Sequence, residues 1–486
     1  MTFPRNPPFA HPRGCRAVLF TLLALLTLLT RTSAPSVASS IAQGARKPPN
    51  IVFILADDLG WTDVACYGSK YYETPNIDRL AAQGLKFTSY YVNAPNCSPT
   101  RASLMTGMYT PRHGIYTAIG GAGDQAPPAD AKLIPAENGR RLPLQFATIA
   151  QVLKTAGYAT GIFGKWHLGE NNEFHPSKRG FDEAITSMGR HFEFRTNPPS
   201  DDVQPETWLG DYLTAKADSF IERHKDRPFF LYLPHFTVHL PHEAKKDLIA
   251  KYQKKAPAGG HKDPVYAAMV EGLDQSVGRV MAKLDALKLS ENTLLIFTSD
   301  NGGVGGYTRQ VQRPDNRNYT DNTPLRGGKG QLYEGGVRVV LLARWLKTIK
   351  AGATTAQPVI GMDFFPTFLE LAGIKSEAGQ PRDGVSIAGL LKSSGKQPLK
   401  REALYWHFPM YLPGRTAPVS SIRSGDWKLI EFFEDGKLEL YNLAQDLGER
   451  NDLAAKLPDK TRELHEKLKA WRQTTKAALP VRKPAQ

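Results

Sequence analysis

Four short apolar runs recur along the chain, and each is followed at once by ionisable groups. Residues 51–55 precede Asp57-Asp58, residues 159–163 precede Lys165-Trp166-His167, residues 229–233 precede His235 and His239, and residues 294–298 precede Asp300-Asn301. Runs this short and this uniformly apolar read as strands buried on both faces. Segments with helical period lie between them, at 77–83, 144–155, 212–224 and 265–287, with a further one at 362–372. Strands alternating with helices predict an α/β fold with a large domain: a mostly parallel sheet flanked by helices on both sides. The pattern changes after about residue 375. Gly, Ser, Lys and Pro dominate 375–400, short strand-like runs follow at 403–407, 427–433 and 438–441, and a charged helix spans 459–476. This predicts a smaller C-terminal antiparallel-sheet subdomain with a terminal helix. The expected division is a signal peptide and leader over 1–45, a catalytic domain over 46–375 and a C-terminal subdomain over 376–486. A chain of 486 residues suits one large unit plus a smaller one.

In open α/β sheets, ligands collect at the carboxyl ends of the strands. Four strands here deliver polar groups to one rim. Asp57, Asp58, Asp300 and Asn301 form an all-oxygen set; adjacent carboxylates repel unless a cation lies between them, and hard oxygen ligands favour Ca²⁺ or Mg²⁺. Alone, Asp-Asp is equally a helix cap or solvated turn, and Asp-Asn-Gly an ordinary turn. Two such pairs at strand ends favour a metal. Cys97-Ser98-Pro99, with Arg101 and Leu104-Met105 following, reads as a helix start, since Pro is tolerated in a first turn. Cys97 then sits at the positive end of a helix dipole. Arg101 lies one turn on and can fold back over the same face. These residues alone leave three readings open: a buried thiol beside a surface Arg, a reactive thiolate with lowered pKa, or a cysteine retained for other chemistry. A Cys66–Cys97 bridge also stays open, although so few cysteines do not make a disulfide scaffold.

The N-terminus reads as an export signal. Arg13 and Arg16 precede an apolar run of 14 residues, 17–30, and small residues follow, among them Ala34, Ala38 and Ser39. The run is shorter than the roughly 20 residues a spanning helix needs, so no stable membrane anchor is expected. The protein is expected to be exported, to a periplasm or the extracellular space. The net charge is +15, and +11 remains once the four leader arginines, Arg5, Arg13, Arg16 and Arg31, are set aside; that surplus attracts polyanions, whether sulfated glycan, nucleic acid or anionic lipid. The basic-aromatic interleaving that tracks a nucleic-acid strand is lacking, so nucleic acid is not an expected partner.

Cys97-x-Pro99-x-Arg101, continuing to Thr106-Gly107, resembles the signature of the sulfatases. Further motifs fall in that family's order: Asp57-Asp58-Leu59-Gly60, Gly164-Lys165-Trp166-His167, Ser299-Asp300-Asn301-Gly302-Gly303, Gly327-Gly328-Lys329-Gly330, Tyr333-Glu334-Gly335-Gly336 and Asp363-x-x-Pro366-Thr367. The resemblance runs from Asn50 to about Leu453. It implies a formylglycine-dependent, arylsulfatase-like hydrolase of the alkaline phosphatase superfamily. Cys97 would be oxidised by a formylglycine-generating enzyme to an aldehyde that hydrates to a geminal diol. Asp57, Asp58, Asp300 and Asn301, with residue 97, would hold a divalent cation, usually Ca²⁺ with Mg²⁺ as the alternative. Arg101 would hold the diol and His167 contact it. Lys165 and Lys329 would bind sulfate oxygens, and His239 would stand near the leaving oxygen, with His235 behind it.

The chemistry so implied is an in-line attack on sulfur, Asp300 taking the proton and His239 with Lys329 protonating the departing alcohol. Deprotonation of the second hydroxyl by His167 then expels sulfate, a step that an unmodified thiol or serine cannot perform. The expected partner is an anionic sulfated substrate, an aryl sulfate or, preferably for a basic exported enzyme, a glycan. The alternatives are a phosphate or phosphonate monoester hydrolase of the same superfamily and a non-catalytic glycan-binding relative. His113, His175, His191, Trp208 and Trp406-His407 are candidates for lining a pocket and equally for packing. Specificity is expected to reside in loops such as 120–141 and 303–323.

Overall fold

The computed structural model describes residues 47–120, 126–305, 319–375 and 379–484. The leader, and parts of both loops assigned to specificity, lie outside the described residues. The central sheet contains β1 (Asn50–Ala56), β2 (Leu85–Phe87), β3 (Ala159–Gly164), β4 (Glu183–Thr186), β5 (Phe229–Pro234), β6 (Thr293–Ser299), β7 (Leu341–Arg344) and β8 (Ala353–Thr355). Their order is β8-β2-β7-β6-β1-β5-β3-β4. Neighbours are parallel except around β7, which runs antiparallel to β2 and β6. The four apolar runs of the sequence are β1, β3, β5 and β6, which lie side by side at the centre. The shorter flanking strands carry no comparable run and were not anticipated.

Seven helices concern the site and its support: α1 (Pro75–Ala82), α2 (Cys97–Thr106), α3 (Ile149–Thr155), α4 (Leu209–Arg223), α5 (Pro264–Ala286), α6 (Phe364–Leu371) and α7 (Pro458–Thr475). Side chains of β1 alternate between two cores, as strand geometry requires. Ile51, Phe53 and Leu55 pack with residues of α2, α3 and α6. Val52, Ile54 and Ala56 pack with α1, α4 and α5. The helix expected over 144–155 starts only at Ile149. Thr148 caps it: its hydroxyl accepts from Gln151 N at 3.2 Å while Gln151 Oε1 accepts from Thr148 N at 2.9 Å. This capping box ends the helix where periodicity alone extended it.

The C-terminal sheet is antiparallel throughout, in the order β9 (Leu404–Phe408), β10 (Val419–Ser424), β11 (Trp427–Phe432), β12 (Leu438–Asn442). The sequence did not reveal β10, whose buried Ser420 and Ser421 break the apolar pattern. Ser420 Oγ is paired with His407 Nδ1 at 2.6 Å, which meets the cost of burying that hydroxyl. Trp406, Phe408, Val419, Ile430 and Tyr441 enter the same core as Ile51 and Phe53. Ile422, Leu429 and Leu440 pack instead on Leu464 and Leu468 of α7. No helix among the described residues is long and apolar enough to cross a membrane.

A buried ionic network ties β11 of the C-terminal sheet to Tyr91 and to the segment Glu334–Arg338. Lys428 of β11 lies 2.8 Å from Glu334 Oε1 and 2.8 Å from Glu449 Oε1, with all three side chains fully buried. Tyr91 OH donates to Glu334 Oε2 at 2.6 Å, Arg338 Nη1 donates to it at 3.2 Å, and Glu334 N donates to Glu449 Oε2 at 2.7 Å. Burial alone would raise Glu334, but Lys428 and Arg338 hold its carboxyl well below the usual range. Burial pushes Glu449 upward.

His235 is fully buried, with Nε2 2.9 Å from Ser276 Oγ and its backbone N donating to Leu55 O at 2.9 Å. Its place is in the core under the rim. Burial lowers its pKa to about 3, so the folded state binds fewer protons than the unfolded chain. Its stabilising contribution is therefore present above about pH 6.5 and is lost as pH falls toward 3, with a slope approaching about 1.4 kcal/mol per pH unit. His235→Gln should lower the urea midpoint at pH 7.5, and the gap from wild type should narrow at pH 5. A gap of equal size at both values would refute the assignment.

Candidate active site

The carboxyl ends of β1, β3 and β6 meet the N-terminus of α2. Helix α2 starts at Cys97, after an extended Asn96, and stops at Gly107, whose φ is 73°. Cys97 is buried, with Sγ 3.3 Å from Asp57 Oδ1 and 3.5 Å from Asn301 Oδ1. Of the three cysteines, the two among the described residues, Cys66 and Cys97, are free, so the bridge between them is excluded. The structure also corrects the thiolate reading. Burial, then Asp300 and Asp57, push the Cys97 thiol far above its ordinary value. Desolvation and two carboxylates outweigh one helix end.

The carboxylates are each answered by a cation. Lys165 Nζ donates to Asp57 Oδ2 at 2.6 Å, and Lys329 Nζ to Asp58 Oδ2 at 2.7 Å. Arg101 is completely buried and is no surface residue. Its Nε and Nη2 donate to Asp300 Oδ2 at 2.9 and 2.7 Å, and its Nη1 donates to Lys165 O at 2.6 Å. Burial, then Asp57 alongside, push the Asp300 carboxyl up to about 6. Burial would also raise Asp58, but Lys329, His239 and Lys165 hold it well below the carboxylate range. Asp58 has φ 66°, in the left-handed region, which turns the chain sharply after β1.

Asn301 Nδ2 is spent on Asp58 Oδ1 at 2.8 Å and on Gly302 O at 3.0 Å. Its Oδ1 is thereby left as the atom facing Cys97. Ligand atoms of Asp57, Asp58, Cys97 and His239 lie within 4.8 Å of one another. Oxygen donors aimed at one point, with two adjacent carboxylates among them, fit a hard divalent cation. Asp300 lies on the same rim, but Oδ2 serves Arg101 and Oδ1 accepts from Asp58 N at 3.2 Å.

The histidines divide by position. His167, with φ 60°, places Nε2 2.7 Å from Ile119 O; a carbonyl only accepts, so Nε2 carries the hydrogen. Its Nδ1 is buried and bare. His239 Nδ1 donates to Leu240 O at 2.7 Å, and its Nε2 lies 3.7 Å from Asp58 Oδ2. Burial, then Lys329, lower its pKa to about 3. His113 is buried behind α2 against Ser103 Oγ at 2.9 Å, and His407 and Trp406 are also core. Trp208 packs over Gly210 and Gly272. His175 Nδ1 lies 2.8 Å from Ser177 Oγ.

Sequence reasoning missed the supports. Ser98 Oγ accepts from Ile119 N at 3.0 Å, so the residue after Cys97 fixes the carbonyl that orients His167. Glu170 Oε1 accepts from His167 N at 3.2 Å. His191 Nε2 donates to His239 O at 2.8 Å. Ile119 acts through its backbone and leaves no signal in the sequence.

A rim that gathers acids, two lysines and a buried arginine around a buried helix-start cysteine fits a hydrolase of anionic esters. The sulfatase family matches residues 49–374, and the family described as N-sulphoglucosamine sulphohydrolase, C-terminal, matches residues 328–475. A sulfatase of Formosa agariphila is 36% identical over 93% of this chain and 93% of its own length. The N-acetylgalactosamine-6-sulfatase of Canis lupus familiaris is 35% identical over 72% of this chain and 67% of that protein. The crystal structure of Ps i-CgsB in complex with k-i-k-neocarrahexaose has TM-score 0.73 and 30% identity, covering 87% of this chain and 93% of that one. The chain belongs to the sulfatase family and is a sulfuric ester hydrolase.

Proposed function

We propose that this protein removes sulfate from a sulfated carbohydrate, using a formylglycine made from Cys97 and a divalent cation. The observation that carries this reading is Cys97 itself: buried at the start of α2, with Sγ 3.3 Å from Asp57 Oδ1 and 3.5 Å from Asn301 Oδ1, at the centre of the acids, lysines and arginine of the rim. In its hydrated form residue 97 supplies the attacking hydroxyl. Asp57, Asp58, Asp300 and Asn301 would hold Ca²⁺, or Mg²⁺, which supplies positive charge beside the attacking oxygen. The carbohydrate substrate is supported by the net charge of +11 that remains outside residues 1–45 and by relatives whose names or bound ligands are carbohydrate.

The chain's own groups then take distinct parts. Lys165 and Lys329 turn from their carboxylates to the sulfate oxygens and offset charge that grows during transfer. Arg101, fixed by Asp300 and the Lys165 carbonyl, orients residue 97. Asp300 accepts the proton of the attacking hydroxyl. His239, its Nδ1 hydrogen held by Leu240 O, stands with Lys329 at the leaving oxygen, which takes its proton from the Lys329 ammonium, while the bare Nδ1 of His167 accepts the proton of the second diol hydroxyl, whose loss expels sulfate. We further propose export of the mature chain after removal of the leader, and maturation by a formylglycine-generating enzyme.

Rates on matched sulfate and phosphate monoesters test the reaction. Sulfate esters should turn over faster, and turnover of phosphate or phosphonate esters alone would overturn it. Chelation should lower activity about a hundredfold or more, and Ca²⁺ or Mg²⁺ should restore it. Full activity in metal-free, chelator-treated protein would remove the cation from the proposal.

A further inference from the structure

The C-terminal sheet reaches the catalytic rim through the turn that carries Leu412 and Arg415. Between β9 and β10 the chain makes a tight turn: Leu412 N donates to Thr416 O at 2.9 Å, Thr416 N to Leu412 O at 3.0 Å, and Arg415 N to Leu412 O at 2.9 Å. From this turn Arg415 Nη1 donates to the carbonyl of Lys329 at 2.9 Å, and Arg415 O accepts from Gln331 Nε2 at 3.2 Å. Gly330, at φ +90°, is pinched between the two segments. A Cβ there would stand 2.5 Å from Leu412 Cδ2 and 2.9 Å from Arg415 Cδ. The turn is thus held against the strand of chain that presents Lys329, and Gly330 N is tied in addition to Pro95 O at 2.7 Å, just ahead of Cys97.

This places a partly exposed guanidinium beside a lysine already assigned to sulfate. Lys329 is itself paired with Asp58 at 2.7 Å, and Arg415 adds a second cationic group at that edge of the site. Arg415 also lines a cavity of about 250 Å³ together with Gln331, Tyr333, Thr416, Ile430 and Phe432. That is smaller than the roughly 300–1,000 Å³ of drug-sized pockets, so it admits a single ring at most. Planar, forked guanidinium donors suit sulfate and carboxylate alike.

We propose that Arg415 is a specificity-determining residue that receives a second anionic group, sulfate or carboxylate, of a saccharide whose other sulfate lies at Lys165 and Lys329. The inference rests on the sulfated-carbohydrate reading and narrows it to saccharides with two anionic groups close together.

Three saccharides of equal length separate the outcomes: one carrying a single sulfate, one carrying two sulfates, and one carrying a sulfate and a uronate. Wild-type enzyme should prefer one of the doubly anionic pair, and which one identifies the anion. Arg415→Ala should reduce kcat/KM on that substrate roughly 10–100-fold, mainly through KM, and on the singly sulfated one only a few fold. Arg415→Lys should recover part of the difference. Equal losses on all three would overturn the proposal and leave Arg415 as a support for the Lys329 backbone. Calorimetric binding to protein bearing Cys97→Ala, with and without Arg415→Ala, gives the same comparison without turnover. Equal affinity for all three saccharides in both proteins would overturn it too. Failure of wild-type enzyme to cleave any sulfate ester, with the binding preference intact, would count against the reaction and not against Arg415.

Discussion

Cys97→Ala is expected to reduce sulfate-ester hydrolysis by about 10⁴-fold or more while leaving the thermal unfolding midpoint nearly unchanged. The two halves of that expectation have separate causes. The side chain contributes little to packing beyond contacts of Sγ with Asp57 and Asn301 at 3.3 and 3.5 Å. Its loss therefore removes chemistry with little loss of structure. Cys97→Ser tests the point more sharply, since it restores a hydroxyl but cannot become an aldehyde by oxidation of a thiol. If a simple hydroxyl at this position sufficed, the serine protein would keep substantial activity. Peptide mass measurement across residue 97 of active wild-type protein should show the aldehyde or its hydrate. Fully active protein with an intact thiol would sink the mechanism, because burial and two neighbouring carboxylates keep that thiol protonated.

Lys428→Met should cost about 3–5 kcal/mol of stability, seen as a large fall in denaturant midpoint or in soluble yield. Removing the ammonium leaves Glu334 and Glu449 fully buried, with Arg338 the cation still bonded to Glu334 and Glu449 stripped of its lysine. Adding Glu449→Gln to Lys428→Met should recover part of the loss, since one carboxylate is then neutral. A wild-type midpoint in the single variant would show that the two acids share a proton and need no lysine. Damage should also reach the rim. Glu334 opens the turn that continues through Gly335 and Gly336, and Gly336 O accepts from Gly302 N at 3.0 Å, one residue beyond Asn301.

How far the sequence discloses this protein depends on which atoms carry the information. The central strands were legible because β1, β3, β5 and β6 are buried on both faces and so are apolar at nearly every position. Strand β10 was hidden, since Ser420 reaches its stability through a hydrogen bond instead of apolar contact. The charged groups of the rim were legible as side chains at strand ends, and the structure brings Asp57, Asp58, Cys97, Arg101, Lys165, Asp300, Asn301 and Lys329 together. The ionisation of Cys97 was not legible. A helix start argues for a lowered thiol pKa, and only the third dimension shows that desolvation and Asp300 win. The orientation of His167 was equally invisible, because it runs through the backbone of Ile119. The helix start at Ile149 could have been read from Thr148-x-x-Gln151, a signal that periodicity overrode.

The shared core has a bearing on how such an enzyme can be rebuilt. Trp406, Phe408 and Ile430 pack in the same cluster as Ile51 and Phe53, and Trp406 Nε1 also donates to Val92 O at 2.7 Å. The C-terminal sheet is therefore not a cartridge that can be exchanged between relatives at a linker. A chimera cut between the sheets exposes two unmatched apolar surfaces, each shaped by the other. Met410 and Leu412 belong to the same cluster, so only the tip of the turn at 413–417, on a retained β9 and β10, can be transplanted without crossing that seam.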